Sequence, residues 1–310
     1  AELSRRVAQA AQSTGIRLTL LPVFYAHGGF GAVPPAAGQR RFLLTLDGFA
    51  RLLQEARGFA GVNVGVAPHS LRAVSPDELG EVIALQEAGP VHIHAAEQVR
   101  EVEDCLAWSG SRPVEWLLNH APVGPGWCLI HATHMTPGET ERLARSGAVA
   151  GLCPVTEANL GDGIFPGAAW EALGGRYGVG TDSNVSIGAA QELRTLEYSQ
   201  RLCQRARNVM AGAEGRSTGR TLFEAALAGG AQALGVQRPL LAAGEPADLL
   251  ALDPGLTDGT GDRALDAWVF SKGSVASVWV GGELLVTGGR HRRREEIEAR
   301  TRRTLRRLLS

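Results

Sequence analysis

The sequence predicts an α/β protein, a (β/α)₈ barrel with part of a small β appendage, and three observations lead to this prediction. Short apolar runs recur with helical stretches between them, a pattern typical of a parallel sheet buried on both faces. Polar, potentially reactive residues follow the ends of these runs, where a barrel of this class places its active site. After Gly244 the chain changes to alternating strands and tight turns.

Six apolar or β-branched runs are the candidate barrel strands, whereas a closed barrel of this class has eight. They span residues 17–23, 62–68, 90–94, 127–132, 148–154 and 176–182. Two of the intervening segments, SPDELGEVIALQEAG and TPGETERLARSG, predict helices. Each starts with a Ser or Thr cap, a proline at the first helical position and acidic residues in the first turn, which together favour a helix start.

The chain divides into three predicted parts. Residues 1–243 form an incomplete barrel, residues 244–290 the C-terminal part of a small β-sandwich, and residues 291–310 a charged C-terminal helix. Within the second part, GEPADLLALD and then AWVFSKGSVASVWVGGELLVTGG alternate like antiparallel strands, and Gly281 and Gly282 are the predicted turn of a β-hairpin. The final helix interleaves arginines with glutamates, which favours a solvated or dimer-facing surface over nucleic-acid binding.

The composition argues against nucleic acid and membranes as partners. Lys plus Arg number 31 against 32 Asp plus Glu, so the formal charge is −1 and no strong field attracts an anionic partner. No apolar run approaches the roughly 20 residues that span a bilayer. The four cysteines match no CxxC metal motif and are too few for a disulfide scaffold, so we expect a reduced, cytoplasmic location.

The segment VHIHAAE contains the first candidate site residues. His92 and His94 lie two apart on a predicted strand, so both imidazoles could line one cavity. Glu97 follows at the strand end, where a carboxylate can move protons while a metal activates water. An isolated HxH is more often a hydrogen-bonded core pair. Here other strands end on His131 and Asp182, which with His94 form a suitable ligand set for a divalent metal.

Further histidines and an arginine follow other strands. APHSLR supplies His69 and Arg72, and a guanidinium suits a substrate carboxylate because it binds both oxygens, although a surface salt bridge is the alternative. His134 is expected to be a surface residue or a neighbour of the site rather than a ligand. His120 and His291 have no supporting neighbours in the sequence and are expected at the surface.

Seven strings distributed along the chain together resemble the formimidoylglutamate deiminase family of the amidohydrolase superfamily. They are YAHGGFG, PPAAGQRRF, APHSLRAVSP, VHIHAAEQ, LIHATH, CPVTEANLGDGIFP and GVGTDSN. APHSLR, AGQRRF and CPVTEANLGDG are more particular to this family than the HxxE, His and Asp motifs that many superfamily deaminases share. The resemblance implies a metal-dependent hydrolase barrel and zinc-dependent hydrolysis of N-formimino-L-glutamate to N-formyl-L-glutamate and ammonia, in histidine degradation.

The resemblance also implies a role for each matching residue. His94 and Asp182 would hold one zinc ion per subunit, with Fe²⁺ or another divalent metal as alternatives, and Asp182 would also be the general base. Glu97 would shuttle protons, and His131 would orient the imine end of the substrate and the attacking water. The residues expected to bind the dicarboxylate substrate or shape its pocket are His69, Arg72, Arg40, Arg41, Glu157 and Asn159.

One element of the superfamily pattern is not found in the chain. The superfamily carries a further HxH, with two more metal ligands, at the end of the first barrel strand, and no such motif precedes His69. We therefore expect a fragment that lacks about 130–140 N-terminal residues, on the usual length of such barrels. With two open strand edges, it is expected to fold poorly and bind metal weakly. The full-length protein is expected to be a homodimer.

Two other functions stay open at this point. One is another aminohydrolase of the superfamily, such as a purine or S-adenosylhomocysteine-type deaminase. Such an enzyme needs a pocket for a flat ring, and the aromatic content here is only 5%. The other is a non-catalytic remnant that acts as a binding or scaffold protein.

Overall fold

The computed structural model describes residues 2–182, 186–238, 240–253 and 261–310. Strands occur in every one of the six predicted runs, two of which are each divided into a pair of short strands. The bounds are β1 Leu18–Leu20, β2 Val23–Phe24, β3 Val62–Val64, β4 Ala67–Pro68, β5 Val91–Ala95, β6 Trp127–His131, β7 Val149–Leu152 and β8 Arg176–Val179. The apolar runs were therefore sufficient to locate the strands.

The strands pair in chain order, and all of these pairings are parallel. β1 pairs with β3, and β2 with β4. Single bridges from Val66 to Val91 and from Ser70 to His94 place β5 beside this pair. β5, β6, β7 and β8 then follow one another in a four-stranded sheet. This confirms the α/β class with a parallel sheet, and it places the C-terminal ends of these strands at one rim.

Helices cover the sheet, and two of them begin where the capping signals predict. Their bounds are α1 Glu2–Thr14, α2 Leu46–Arg57, α3 Pro76–Ala84, α4 Val99–Ser109, α5 Pro113–His120, α6 Pro137–Ser146, α7 Pro154–Leu160, α8 Gly167–Ala172, α9 Ala189–Gln204 and α10 Thr218–Ala233. Before α3, the Ser75 hydroxyl accepts the Glu78 N–H, and the Glu78 carboxylate accepts the Ser75 N–H. Thr136 and Glu139 form the same box before α6, so both predicted helix starts are confirmed.

Helix α10 packs against the end of the four-stranded sheet, and its C-terminal end reaches the β1–β3 pair. Its Gly229 lies against β8 so closely that a Cβ atom there would be 2.0 Å from the Tyr177 carbonyl oxygen. At its C-terminal end, the Leu234 carbonyl accepts hydrogen bonds from Thr19 at 2.8 Å and from Asn63 at 2.7 Å. Since Thr19 is on β1 and Asn63 on β3, α10 packs against β8 and the residue that follows it bonds to both strands of the β1–β3 pair.

We predict that Gly229→Ala will destabilise the protein by about 3 kcal/mol or more, because α10 or β8 must shift to admit a methyl group. Gly230→Ala is the matched control, since nothing lies within 4 Å of the Cβ position of Gly230. In a helix, that change should be neutral or stabilise by up to about 1 kcal/mol. Urea unfolding of both variants measures the difference. Equal midpoints would show that α10 does not approach β8 as described.

The C-terminal part forms an antiparallel sheet, with one helix between its first two strands and one after its last strand. Its elements are β9 Leu249–Asp253, α11 Asp262–Phe270, β10 Ser274–Val280, β11 Glu283–Thr287, β12 Arg290–His291 and α12 Arg294–Leu309. The strand order is β12-β11-β10-β9. Gly281 and Gly282 join β10 to β11 with φ values of 57° and 82°, as a tight hairpin turn requires.

One local expectation for this part was wrong. Residues 267–270, AWVF, were expected to begin a run of alternating strands, and they lie in α11 instead. The reason is packing, because Trp268 and Val269 are buried and the Trp268 ring meets Phe223 of α10 edge to face at 5.9 Å.

Among the described residues, no helix is long and apolar enough to cross a membrane. The four cysteines are free thiols.

Candidate active site

Three histidines from three neighbouring strand ends form a row at the C-terminal rim of the sheet. His69 follows β4, His94 is on β5, and His131 ends β6. The rings of His69 and His94 stack with centroids 4.8 Å apart, and those of His94 and His131 lie 5.6 Å apart. The structure thus brings together residues separated by up to 62 positions, as expected for parallel strands whose C-terminal ends meet.

The two histidines of the HxH motif differ in what they bind. His94 donates from Nδ1 to the His69 carbonyl at 2.8 Å, which leaves the lone pair of Nε2 available to a metal. His92 donates from Nε2 to the Ala233 carbonyl at 2.7 Å, so it is a satisfied core residue. Burial lowers the pKa of both imidazoles, and the neutral form is the one that ligates metals.

Asp182 follows β8 at the same rim. Its backbone has a φ of 50°, in the left-handed region, and its side chain is exposed. The negative charge of its carboxylate partly opposes the burial that lowers the pKa of His94, and it adds to the upward shift of the His131 pKa. Ser183 and Asn184 of the same GVGTDSN string lie outside the described residues.

The donors at this rim suit a divalent metal but are few. The imidazole Nε2 of His94 and the carboxylate of Asp182 have the chemistry that zinc and similar ions prefer. Within the described parts of the chain, no group of three or more His, Cys, Asp or Glu side chains could hold a metal ion. His94 and Asp182 would therefore supply two ligands, and a zinc site normally uses four.

His131 lies between two carboxylates, one at each ring nitrogen. Its Nδ1 donates to Oε1 of Glu157 at 3.2 Å, and its Nε2 lies 3.7 Å from Oε1 of Glu97. The ring is 1% exposed, and the backbone has a φ of 68°, an uncommon conformation for a residue other than glycine. Burial lowers the pKa of His131, but the hydrogen bond to Glu157 and the charges of Glu97, Glu157 and Asp182 outweigh it, so the net shift is upward.

Glu97 is positioned by a second, fully buried carboxylate. Glu101, on α4, is 2% exposed and accepts the backbone N–H groups of Ala96 at 3.1 Å and Glu97 at 3.0 Å. Ala96 itself has a φ of 53°, so this hydrogen bonding holds a sharp turn directly after β5. Arg72 lies 3.7 Å from the Glu97 carboxylate and 4.0 Å from that of Glu101, and it balances part of their charge.

His69 is neutral at physiological pH. Burial, followed by the charges of His94 and Arg72, lowers its pKa to about 3. It can therefore offer a substrate an imidazole N–H group but no positive charge. The Tyr25 ring meets it edge to face at 4.9 Å, and the Tyr25 hydroxyl accepts a hydrogen bond from Gln39 at 2.8 Å.

Four of the remaining candidates lie apart from this row. Arg40 and Arg41 are exposed on a 3₁₀ helix, Ala37–Phe42, where the Arg41 guanidinium lies 4.7 Å above the Phe42 ring. Asn159 is exposed on α7. His134 donates to the Asp162 carbonyl at 2.6 Å, which occupies its Nε2. The inward-facing residue of the 3₁₀ helix is Gln39, which the sequence did not single out.

The chain matches the amidohydrolase family model over residues 3–285. It is 52% identical over 300 residues to the formimidoylglutamate deiminase of Pseudomonas aeruginosa, covering 94% of this chain and 66% of that protein. It is also similar to a 5-methylthioadenosine/S-adenosylhomocysteine deaminase of Halobacterium salinarum, with 37% identity over 191 residues that cover 60% of this chain and 43% of that protein. The chain thus spans slightly less than two thirds of the length of the P. aeruginosa relative.

The chain is also similar to solved structures. A crystal structure of an amidohydrolase from Brucella melitensis superposes with a TM-score of 0.96 at 55% identity, covering 100% of this chain and 70% of that chain. An adenosine deaminase from Xanthomonas campestris with bound zinc has a TM-score of 0.80 at 22% identity, covering 98% of this chain and 69% of that one, and shares the fold. From the family match and these relatives together, the chain belongs to the amidohydrolase family.

Proposed function

We propose that this chain carries catalytic and substrate-binding residues of a metal-dependent formimidoylglutamate deiminase, which hydrolyses N-formimino-L-glutamate to N-formyl-L-glutamate and ammonia. One observation supports the proposed substrate in addition to family membership. A guanidinium, that of Arg72, lies within 3.7 Å of the Glu97 carboxylate, which itself lies 3.7 Å from His131. An anion-binding group thus adjoins a pair of proton-transfer groups. The 52% identity to the P. aeruginosa deiminase supports the same substrate.

His94 and Asp182 would hold the metal, and zinc is the metal that we propose. When bound, a divalent metal lowers the pKa of water so that hydroxide is available near neutral pH. The exposed Asp182 carboxylate accepts the proton as water attacks the formimino carbon. Glu97 relays the protons that the water gives up to the terminal nitrogen, so that ammonia leaves as the carbon–nitrogen bond breaks. His131 presents Nε2 toward this reaction and orients the imine.

Arg72 is the proposed anchor of a substrate carboxylate. Its side chain is 31% exposed. Its distances of 3.7 and 4.0 Å to Glu97 and Glu101 exceed hydrogen-bond lengths, so its donors can serve an incoming anion at closer range. The neutral imidazole of His69, on the same strand end, would add an uncharged N–H donor. A dicarboxylate needs such donors because the metal ligands and Glu97 are themselves negative.

The test of this proposal is Arg72→Met with charged and neutral substrates. Loss of a charge-assisted contact is expected to cost about 1.5–3 kcal/mol, which raises KM for formiminoglutamate roughly 10- to 150-fold. The formimino derivative of an uncharged amine should show a much smaller change, and the metal content should stay constant. An equal loss of kcat/KM on both substrates would mean that Arg72 is structural. A general aminohydrolase would then become the better assignment.

A further inference from the structure

Glu157 stands out among the candidate residues because it contacts a proposed catalytic histidine from the side opposite Glu97. It lies in the first turn of α7 and is 4% exposed. Its Oε1 accepts the N–H of Cys153 at 3.0 Å and the Nδ1–H of His131 at 3.2 Å. The Cys153 N–H, at the start of α7, therefore holds Oε1 in the position where it accepts the hydrogen bond from the imidazole.

A carboxylate accepts hydrogen bonds and donates none when ionised. The Nδ1 atom of His131 must then carry a proton in order to bond with Glu157. In a neutral imidazole, this leaves the Nε2 lone pair directed toward Glu97. The ring is almost completely buried, so it cannot turn to exchange the two nitrogens without displacing its neighbours.

From this geometry we infer that Glu157 is a positioning residue, which holds His131 in the Nδ1–H tautomer with Nε2 toward the substrate. The inference rests on the proposed function for its catalytic consequence, but the tautomer itself does not depend on any substrate. It also assigns Glu157 a role behind His131 rather than one of shaping the pocket for the substrate.

Two substitutions separate positioning from mere support of the helix. In Glu157→Gln, the amide oxygen should take the place of Oε1 and accept the N–H groups of both Cys153 and His131. The Nδ1–H tautomer should therefore be kept. Glu157→Met removes the acceptor. The matched control is Glu192→Gln, because the Glu192 carboxylate is equally buried and accepts the Val155 N–H of the same helix start at 2.9 Å. No hydrogen bond joins Glu192 to His131 in the described parts of the chain.

The direct readout is the His131 tautomer, from two-bond ¹H–¹⁵N correlation spectra of protein labelled in histidine, with His131→Gln used to assign the signals. At alkaline pH, where the imidazole is neutral despite the raised pKa of His131, wild type, Glu157→Gln and Glu192→Gln should show the Nδ1–H form. Glu157→Met should show a mixture or the Nε2–H form. An unchanged tautomer in Glu157→Met, or the same change in Glu192→Gln, would overturn the inference.

The second readout is the division of the effect between kcat and KM. Glu157→Met should lower kcat about 10²-fold and change KM less than about threefold, since proton transfer is affected rather than binding. Glu157→Gln should recover most of kcat. If wild type has no deiminase activity while the tautomer pattern holds, the proposed function fails and the positioning role stands. A full kcat in Glu157→Met would refute the catalytic consequence.

Discussion

In a version of the protein whose metal site is complete, replacing His94 with alanine is expected to remove bound metal and to lower kcat by more than about 10³-fold. His94 is the histidine whose Nδ1 is already engaged, at 2.8 Å from the His69 carbonyl, so that Nε2 is free for a metal. Asp182→Ala removes the other proposed ligand and should have the same effect. Elemental analysis of the purified variants measures the metal, and assay of ammonia release measures kcat.

His92→Ala is the matched control for this prediction. His92 lies on the same face of β5, two residues away, but it donates to the Ala233 carbonyl. Its loss should leave metal content unchanged and reduce the free energy of unfolding by about 1–3 kcal/mol, because a buried carbonyl loses its donor. Stoichiometric metal in His94→Ala, or metal loss in His92→Ala, would contradict the ligand assignment.

Glu97→Gln is expected to lower kcat roughly 10²- to 10⁴-fold while bound metal is retained. The amide keeps the size and hydrogen-bonding reach of the carboxylate but cannot transfer a proton. Glu97 lies 3.7 Å from Nε2 of His131, close enough for the two groups to act on one substrate atom. Steady-state kinetics with parallel metal analysis tests this expectation.

Glu103→Gln provides the control for Glu97, since it makes the same change at an exposed position on α4. Its kcat should match that of wild type. If Glu97→Gln also kept full kcat, the proton transfer would have to be reassigned, and His131 would be the first candidate.

The strands and helix starts could be predicted because their signals are local. Apolar runs located β1 to β8, and the capping boxes at Ser75 and Thr136 were visible in the sequence as SPDE and TPGE. Helix α11 could not be predicted in the same way. The pattern of AWVF is compatible with a strand or a helix, and contacts with α9 and α10 decide between them.

The site was predictable to the extent that it depends on strand ends. His69, His94, His131 and Asp182 each follow or end an apolar run, and parallel strands bring such positions to one rim. The partners of these residues depend on tertiary contacts, which spacing does not reveal. The division of the HxH motif into one core histidine and one free imidazole depends on α10, whose Ala233 is 141 positions from His92. Gln39, Tyr25 and Glu101 were missed for the same reason.

The central proposal is that the protein breaks the carbon–nitrogen bond between the formimino carbon and its terminal nitrogen. The most direct measurement is NMR of the products formed from N-formimino-L-glutamate labelled with ¹³C at the formimino carbon, with the protein loaded with zinc. We predict equal amounts of ammonia and N-formyl-L-glutamate, with the label in the formyl group. Labelled formamide together with glutamate, or no conversion by a preparation that deaminates S-adenosylhomocysteine, would contradict the claim.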